Sequence, residues 1–377
     1  MPDSEGSIFQ DKHGQWWAQL FIDGKPVRRR AKDERDARKK LRELHERRKL
    51  NLKVGSDRQT FEEWYTHWLS TQAADLKPKT LDGYQQIGDR YILPYLGSKR
   101  LDQLTAQHIG QWLIKLRAKK LSESTLAIAY RRVRTCLNVA VRQRIIATNP
   151  AEEAKAPKPG TPSIKALDHL QVATLLNNVA DHRLYAAYVV AGVLGVRQAE
   201  LIGLRWSNVT LDGDAPRIRL AEQLQRIRDA STGKRQIVRQ TPKTAAGVRE
   251  IPLNGDLVAI LRAWRIRQAQ ERLILGERWP GLDLVFTTEV GTPLQTTNLR
   301  RHLRASLKAA NLPMVRWHSL RHTAGSVMLY AGADMLTVSK ILGHSSPATT
   351  AKIYAKVFDE RRLQAVDLAA AAVLRRA

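Results

Sequence analysis

The sequence predicts a multidomain, mainly α protein: a small α+β N-terminal domain of three strands plus a helix, an all-α domain, and a larger mixed α+β, mostly helical domain. Three observations predict it. Apolar residues recur at helical spacing through most of the chain, strand-like runs are confined to two places, and a Pro/Gly-rich segment interrupts the pattern at Ala154–Pro162. A length of 377 residues leaves room for two or three domains, and an apolar share of 43% excludes a disordered basic tail.

The N-terminal elements come first. Ser7-Ile8-Phe9, Trp16–Ile22 and Val27–Arg30 read as three short strands, with Asp23-Gly24 as a hairpin-turn signal between the last two. From Asp33 the period changes. Ala37, Leu41, Leu44 and Leu50 recur among seven basic residues, which predicts a basic amphipathic helix. A sheet backed by such a helix can lay strands into a groove of duplex DNA; a merely solvated charged helix is the competing reading.

Residues Asn51–Arg58 read as a linker. Thr60-Phe61-Glu62-Glu63 then starts a helix with a capping box, and Trp64, Trp68 and Leu69 continue its apolar face. Another helix runs from Lys77-Pro78 to about Ile92, before Pro94 and Gly97, followed by helices Thr105–Lys119 and Ser122–Ile145. After the Pro-rich break, helices are expected over Asp168–Val179 and His182–Leu194. Strands are expected near Arg217–Gln225, Gln236–Thr241 and Val248–Pro252, and helices then resume apart from the apolar run Leu284–Thr287.

Composition narrows the function. Sixty-three Lys and Arg against thirty-six Asp and Glu give a net charge of +27. The excess is +6 over residues 1–58, +7 over 59–160 and +14 over 161–377, which suits a long polyanion better than one local patch. No long apolar run and no secretory pattern occurs, so no membrane partner and a cytoplasmic, nucleoid-associated location are expected. The lone Cys136 excludes an internal disulfide framework and a Cys-rich zinc site.

Four fragments of the last domain carry groups suited to phosphate chemistry. Gly195-Val196-Arg197-Gln198-Ala199-Glu200-Leu201 sets Arg197 and Glu200 at i, i+3. Thr241-Pro242-Lys243-Thr244 sets Lys243 in a turn between strands. His318-Ser319-Leu320-Arg321-His322 gathers His318, Arg321 and His322 in one helical turn, and Leu342-Gly343-His344 precedes Tyr354 by ten residues. Each fragment alone has a structural reading: a surface ion pair, a solvated lysine, half-buried tyrosine packing. For Glu200 a positioning or capping role is at least as good a reading as a chemical one. His318 and His322 at i, i+4 could ligate zinc, but Arg321 between them and the lack of a nearby carboxylate disfavour metal.

Together, in this order, these fragments resemble the catalytic pattern of the tyrosine recombinases, the lambda-type integrases of phages and conjugative elements. The resemblance extends to Arg249-Glu250-Ile251-Pro252-Leu253, to Tyr91-Ile92-Leu93-Pro94-Tyr95-Leu96-Gly97 and to the sheet-plus-helix start. It departs from the commoner pattern at Ser319 and Pro242, neither of which removes a reactive group. It implies an arm-type DNA-binding domain over 1–55, a helical core-binding domain over 59–153 and a catalytic domain over 164–377 with a C-terminal docking tail.

The implied activity is that of a metal- and cofactor-independent site-specific recombinase. It would integrate or excise a mobile element through a covalent 3′-phosphotyrosine and a Holliday junction, acting as a homotetramer on double-stranded DNA at core and arm sites. The need for an excision factor or a host DNA-bending protein is left open. The implied catalytic set is Arg197, Lys243, His318, Arg321, His344 and Tyr354, with Tyr330 as a competing nucleophile. Candidate DNA contacts are Arg28, Arg29 and Arg30 on the third strand, with Lys77, Lys79, Lys119 and Lys120 at helix ends. The competing functions are a type IB topoisomerase and a catalytically silent DNA-binding protein on the same fold. In the tail, Leu363, Val366, Leu368 and Leu374 among alanines suggest docking on a neighbouring protomer or on the chain's own catalytic domain.

Overall fold

The computed structural model describes residues 6–22, 25–53, 59–72, 74–160, 166–229, 232–242 and 247–344, together with 351, 366, 370 and 374. The chain divides into two compact units, 1–161 and 162–377, parted at the end of the Pro-rich segment.

The first unit opens with an antiparallel sheet of β1 (Ser7–Gln10), β2 (Trp16–Ile22) and β3 (Lys25–Ala31), in which Phe9, Trp17 and Arg30 are cross-strand neighbours. The period-2 alternation buries Ala18 and Leu20 against Ala37 and Leu44 of α1 (Glu34–Lys49). Asp33 caps α1 by accepting from the Asp36 N–H at 2.7 Å, and acidic first-turn and basic last-turn residues match the helix dipole. Leu50, expected on the apolar face, lies past the end of α1 and is exposed. The expected Asp23-Gly24 turn lies outside the described residues. Of the expected linker, Asn51–Lys53 is described and tied down: the Lys53 N–H donates to Arg144 O at 2.7 Å.

Helices α2 (Phe61–Gln72), α3 (Pro78–Ile87), α4 (Leu93–Leu96), α5 (Ala106–Ala118), α6 (Glu123–Arg142) and α7 (Pro150–Glu153) surround a core containing Trp64, Trp68, Trp112, Tyr65 and Phe61. Burying such aromatic groups stabilises the domain by roughly 1.5–3 kcal/mol each. The capping box at Thr60–Glu63 forms in both directions, at 2.8 and 3.2 Å. The chain after α3 differs from the expected single helix. One π-helical turn, Gly88–Ile92, continues directly into α4, which has Pro94 in its first turn. A Cβ at Gly88 would lie 2.5 Å from the Tyr65 ring, so the helix passes the aromatic core only by way of a glycine.

The second unit packs α8 (His169–Asn178), α9 (Tyr185–Val193), α10 (Gln198–Gly203), α11 (Gly255–Leu275), α12 (Thr296–Ala309), α13 (Trp317–Tyr330) and α14 (Met335–Leu342) with two small sheets. One sheet has the order β4 (Val209–Thr210), β5 (Arg217–Leu220), β8 (Arg249–Pro252); the other is the hairpin of β6 (Gln223–Arg228) and β7 (Arg235–Gln240). The expected strand over 217–225 is therefore two strands in two sheets. Glu222 stands at the break, paired with Arg205 at 3.6 Å and Arg239 at 3.3 Å. The apolar run Leu284–Thr287 forms isolated bridges rather than a strand, because side chains take its carbonyls. Gln268 Nε2 donates to Leu284 O and Val285 O, both at 3.0 Å, and Trp264 Nε1 to Val285 O at 2.6 Å.

Among the described residues no helix is long and apolar enough to cross a membrane. Most of the expected docking tail lies outside them; of its apolar residues, Val366 and Leu374 are described and exposed.

Candidate active site

The site is assembled where the loop between α9 and α10, strand β8, α13 and the end of α14 meet. Gly195 starts it. Its φ of +64° is left-handed, and a Cβ there would lie 2.5 Å from a Leu342 methyl, so only glycine lets the loop approach α14 this closely. Two residues on, Arg197 sits at the N-cap of α10, and its N–H donates to Glu200 Oε2 at 2.9 Å. The Arg197 guanidinium donates to Glu200 Oε1 at 2.6 Å and to Gly343 O at 2.8 Å, and its side chain stays 35% exposed.

Arg321 is the opposite case. It is buried in the middle of α13, with Nη1 donating to Gly195 O at 2.9 Å and Nη2 to Leu342 O. Chain segments more than a hundred residues apart thus supply the carbonyls that aim both guanidiniums. A cation held by fixed dipoles needs little reorganisation when an anion arrives.

His318 lies one turn before Arg321, with its ring 5.0 Å from that of His322. Burial first, then the charges of Arg321 and Arg197, lower the His318 pKa, with Glu200 opposing; the residue nonetheless keeps an exposed edge. His344 follows the left-handed Gly343 that ends α14, and burial with the Arg321 and Arg197 charges lowers it to about 4. His322 is likewise lowered to about 4 by burial, His318 and Arg321. At neutral pH the site therefore presents neutral imidazoles beside permanent cations.

Arg197, His318, Arg321 and His344 come together. Lys243 and Tyr354 lie outside the described residues; the segment holding Lys243 is flanked by β7 and β8, and Tyr354 follows ten residues after His344. Tyr330 sits nine residues after Arg321 on α13, about 13 Å along the axis, and stacks on His169 at 4.7 Å. It is too distant to attack a phosphate that Arg321 holds. Among the described residues no group of three or more His, Cys, Asp or Glu side chains gathers as a metal site.

Arg249 was not among the expected site residues. It stood only inside the expected strand Val248–Pro252 and the resembling fragment Arg249–Leu253, yet its side chain is 7% exposed and its guanidinium pairs with both oxygens of Glu200, at 3.1 and 3.0 Å. Burial alone would raise the Glu200 carboxyl, but Arg249, with help from Arg197, holds it below its ordinary value.

The candidate DNA contacts outside this site have varied settings. Arg28 and Arg30 face away from α1 on the open side of the sheet. Arg28 donates to Gln19 Oε1 at 2.6 Å and lies over the Phe9 ring, while Arg30 donates to Gln15 Oε1. Arg29 pairs with the buried Ala18 position, so it points to the α1 side. Lys77 occupies the N-cap position of α3 without a side-chain capping bond, Lys79 pairs with the buried Asp82 at 2.8 Å, Lys119 lies over the Tyr95 ring, and Lys120 adopts a φ of +57°.

Two braced arginines beside two neutral imidazoles on a helical scaffold have the chemistry to hold an anion such as a phosphodiester. Comparison with known proteins makes this specific. Residues 165–361 match the phage integrase family, residues 60–117 match the phage integrase N-terminal SAM-like domain, and the chain belongs to the phage integrase family. It is accordingly a tyrosine recombinase, a DNA strand-transferring enzyme. An integrase from Streptomyces ambofaciens is 30% identical over 375 residues, covering 93% of this chain and 92% of its own. A XerC-like tyrosine recombinase from Caldanaerobacter subterraneus subsp. tengcongensis is 29% identical, over 77% of each chain. The fold matches the Tn1549 transposon integrase in complex with transposon right end DNA (TM-score 0.65, 21% identity, 81% of this chain and 100% of that one). It also matches a lambda integrase tetramer bound to a Holliday junction (TM-score 0.57, 18% identity, 93% and 94%).

Proposed function

We propose that this site cleaves and rejoins DNA with Tyr354 as the nucleophile. A phenol has a pKa near ~10, so Tyr354 needs cationic surroundings and a proton acceptor to attack. Neutral His318 is suited to take that proton. Attack builds negative charge on the non-bridging oxygens, which Arg197 and Arg321 clamp while His344 donates a hydrogen bond. Lys243 protonates the departing 5′-oxygen. The product is a 3′-phosphotyrosine, which keeps the phosphodiester's energy for ligation to a second strand without ATP. The observation that carries this reading is the convergence of Arg197, His318, Arg321 and His344 on one cradle, with both guanidiniums braced by backbone carbonyls.

The domain roles follow in the same reading. Residues 1–55 bind arm-type DNA through the open sheet face with Arg28 and Arg30, residues 59–153 bind the core site, and 164–377 perform the chemistry. Four copies act on two core sites through a Holliday junction; the solved lambda integrase tetramer on such a junction supports that number. An excision factor or host DNA-bending protein would set direction.

A nicked suicide duplex carrying the core site tests the chemistry. Wild-type protein is expected to accumulate a covalent protein–DNA adduct, and Tyr354→Phe none. No adduct with wild type, or one that survives in Tyr354→Phe, overturns the proposal.

A further inference from the structure

Helix α14 ends in an arrangement that the chemistry above leaves unexplained. Two of its last carbonyls are satisfied locally: the His344 N–H donates to Ser339 O at 3.0 Å and the Gly343 N–H to Lys340 O at 3.1 Å, the usual closure of a helix on a left-handed residue. The next three carbonyls in sequence each accept from a different arginine. Ile341 O accepts from Arg249 Nε at 2.6 Å, Leu342 O from Arg321 Nη2, and Gly343 O from Arg197 Nη2 at 2.8 Å. A helix C-terminus carries about half a negative charge, so it offsets part of the repulsion among three gathered cations. Glu200 offsets a further charge, bridging Arg249 and Arg197 from a buried position and leaving the cluster net positive.

Arg249 has no route to the substrate. It is buried, and Nε, Nη1 and Nη2 are all engaged, Nη1 also donating to Gly247 O at 3.1 Å. We infer that Arg249 is a positioning residue for strand transfer: it holds Glu200 and the end of α14 so that Arg197 presents its guanidinium to the scissile phosphate. The inference rests on the reading of Arg197 as a phosphate clamp. Without Arg249, buried Glu200 keeps Arg197 as its remaining cation and draws that guanidinium into a two-oxygen pair, away from the DNA. The end of α14, which carries His344, loses its tie at Ile341 at the same time.

The test uses the full chain, with single-turnover adduct formation at saturating protein and core-duplex affinity measured side by side. Arg249→Met is expected to slow adduct formation on the order of 10–100-fold, the scale of a misplaced catalytic group, while affinity changes less than about twofold. Arg249→Lys is expected to recover little, because one ammonium cannot serve Ile341 O and both Glu200 oxygens together. It also carries the test if the Met variant fails to fold. Combining Arg249→Met with Glu200→Gln is expected to be no slower than the slower single variant. On a methylphosphonate linkage, whose neutral phosphoryl group no longer needs Arg197, the Arg249 defect is expected to shrink. An Arg249→Met rate within about threefold of wild type, multiplying losses in the double variant, or an equal defect on methylphosphonate would each overturn the inference. A wild-type protein with no Tyr354-dependent adduct would instead overturn the underlying reading of the site.

Discussion

Arginines do opposite things at the two ends of this chain. On the open face of the N-terminal sheet, Arg28 and Arg30 are exposed, and each bonds a single glutamine side chain that can move with it. In the second unit, Arg321 and Arg249 are buried and bonded to backbone carbonyls that cannot move without dislodging a helix. Exposed, loosely held cations suit a partner bound through many weak phosphate interactions. Buried, aimed cations suit one phosphate whose charge changes during reaction. Residue type is the same in both regions; desolvation and fixed acceptors distinguish them, and the proposed function assigns affinity to one and chemistry to the other.

The largest effect that sharpens this contrast is expected at Arg321. Arg321→Ala removes a clamp and leaves Gly195 O and Leu342 O without their donor, so adduct formation is expected to fall about 10²–10³-fold, measured on the suicide duplex. A backbone change comes next. Gly195→Ala sets a methyl against Leu342 at a left-handed φ, so a loss of roughly 1–3 kcal/mol is expected in urea unfolding, with cleavage falling too because Gly195 O aims Arg321. The smallest effect is a pH slope. His322 binds its proton near pH 4 when folded and near 6.5 when unfolded, so the unfolded state holds more protons between those values. The His322 contribution to stability is expected to fall as pH drops from 6.5 to 4 and to level off below, so the slope over that range is expected to be shallower in His322→Gln. An unchanged slope would show that His322 does not titrate on unfolding.

Much of this contrast was legible in the sequence, for a physical reason. The proposed catalytic groups lie in short local patterns, so Arg197, His318, Arg321 and His344, which the structure brings together, could be singled out from their neighbours. The capping box at Thr60–Glu63 is local as well, and the structure shows it. What could not be read depends on residues far apart. Arg249 matters through Glu200, 49 residues away, and Ile341, 92 residues away. The 217–225 run divides at Glu222, which faces the distant Arg205 and Arg239, and the 284–287 run gives its carbonyls to the side chains of Gln268 and Trp264. Strand alternation could have separated Arg29 from Arg28 and Arg30, but only once the helix-facing side of the sheet was known.

The central claim is that the two arginine sets do separate jobs, and one paired measurement addresses it. Binding to a duplex carrying arm and core sites is followed across salt concentrations, and adduct formation is followed at saturating protein. The proteins compared are Arg321→Ala and the double variant Arg28→Ala/Arg30→Ala. The sheet variant is expected to bind more weakly, with a salt slope shallower by about one unit for each phosphate it no longer neutralises, and to cleave near the wild-type rate once saturated. Arg321→Ala is expected to bind almost normally and barely cleave. Saturated cleavage lost as severely in the sheet variant as in Arg321→Ala would contradict the division.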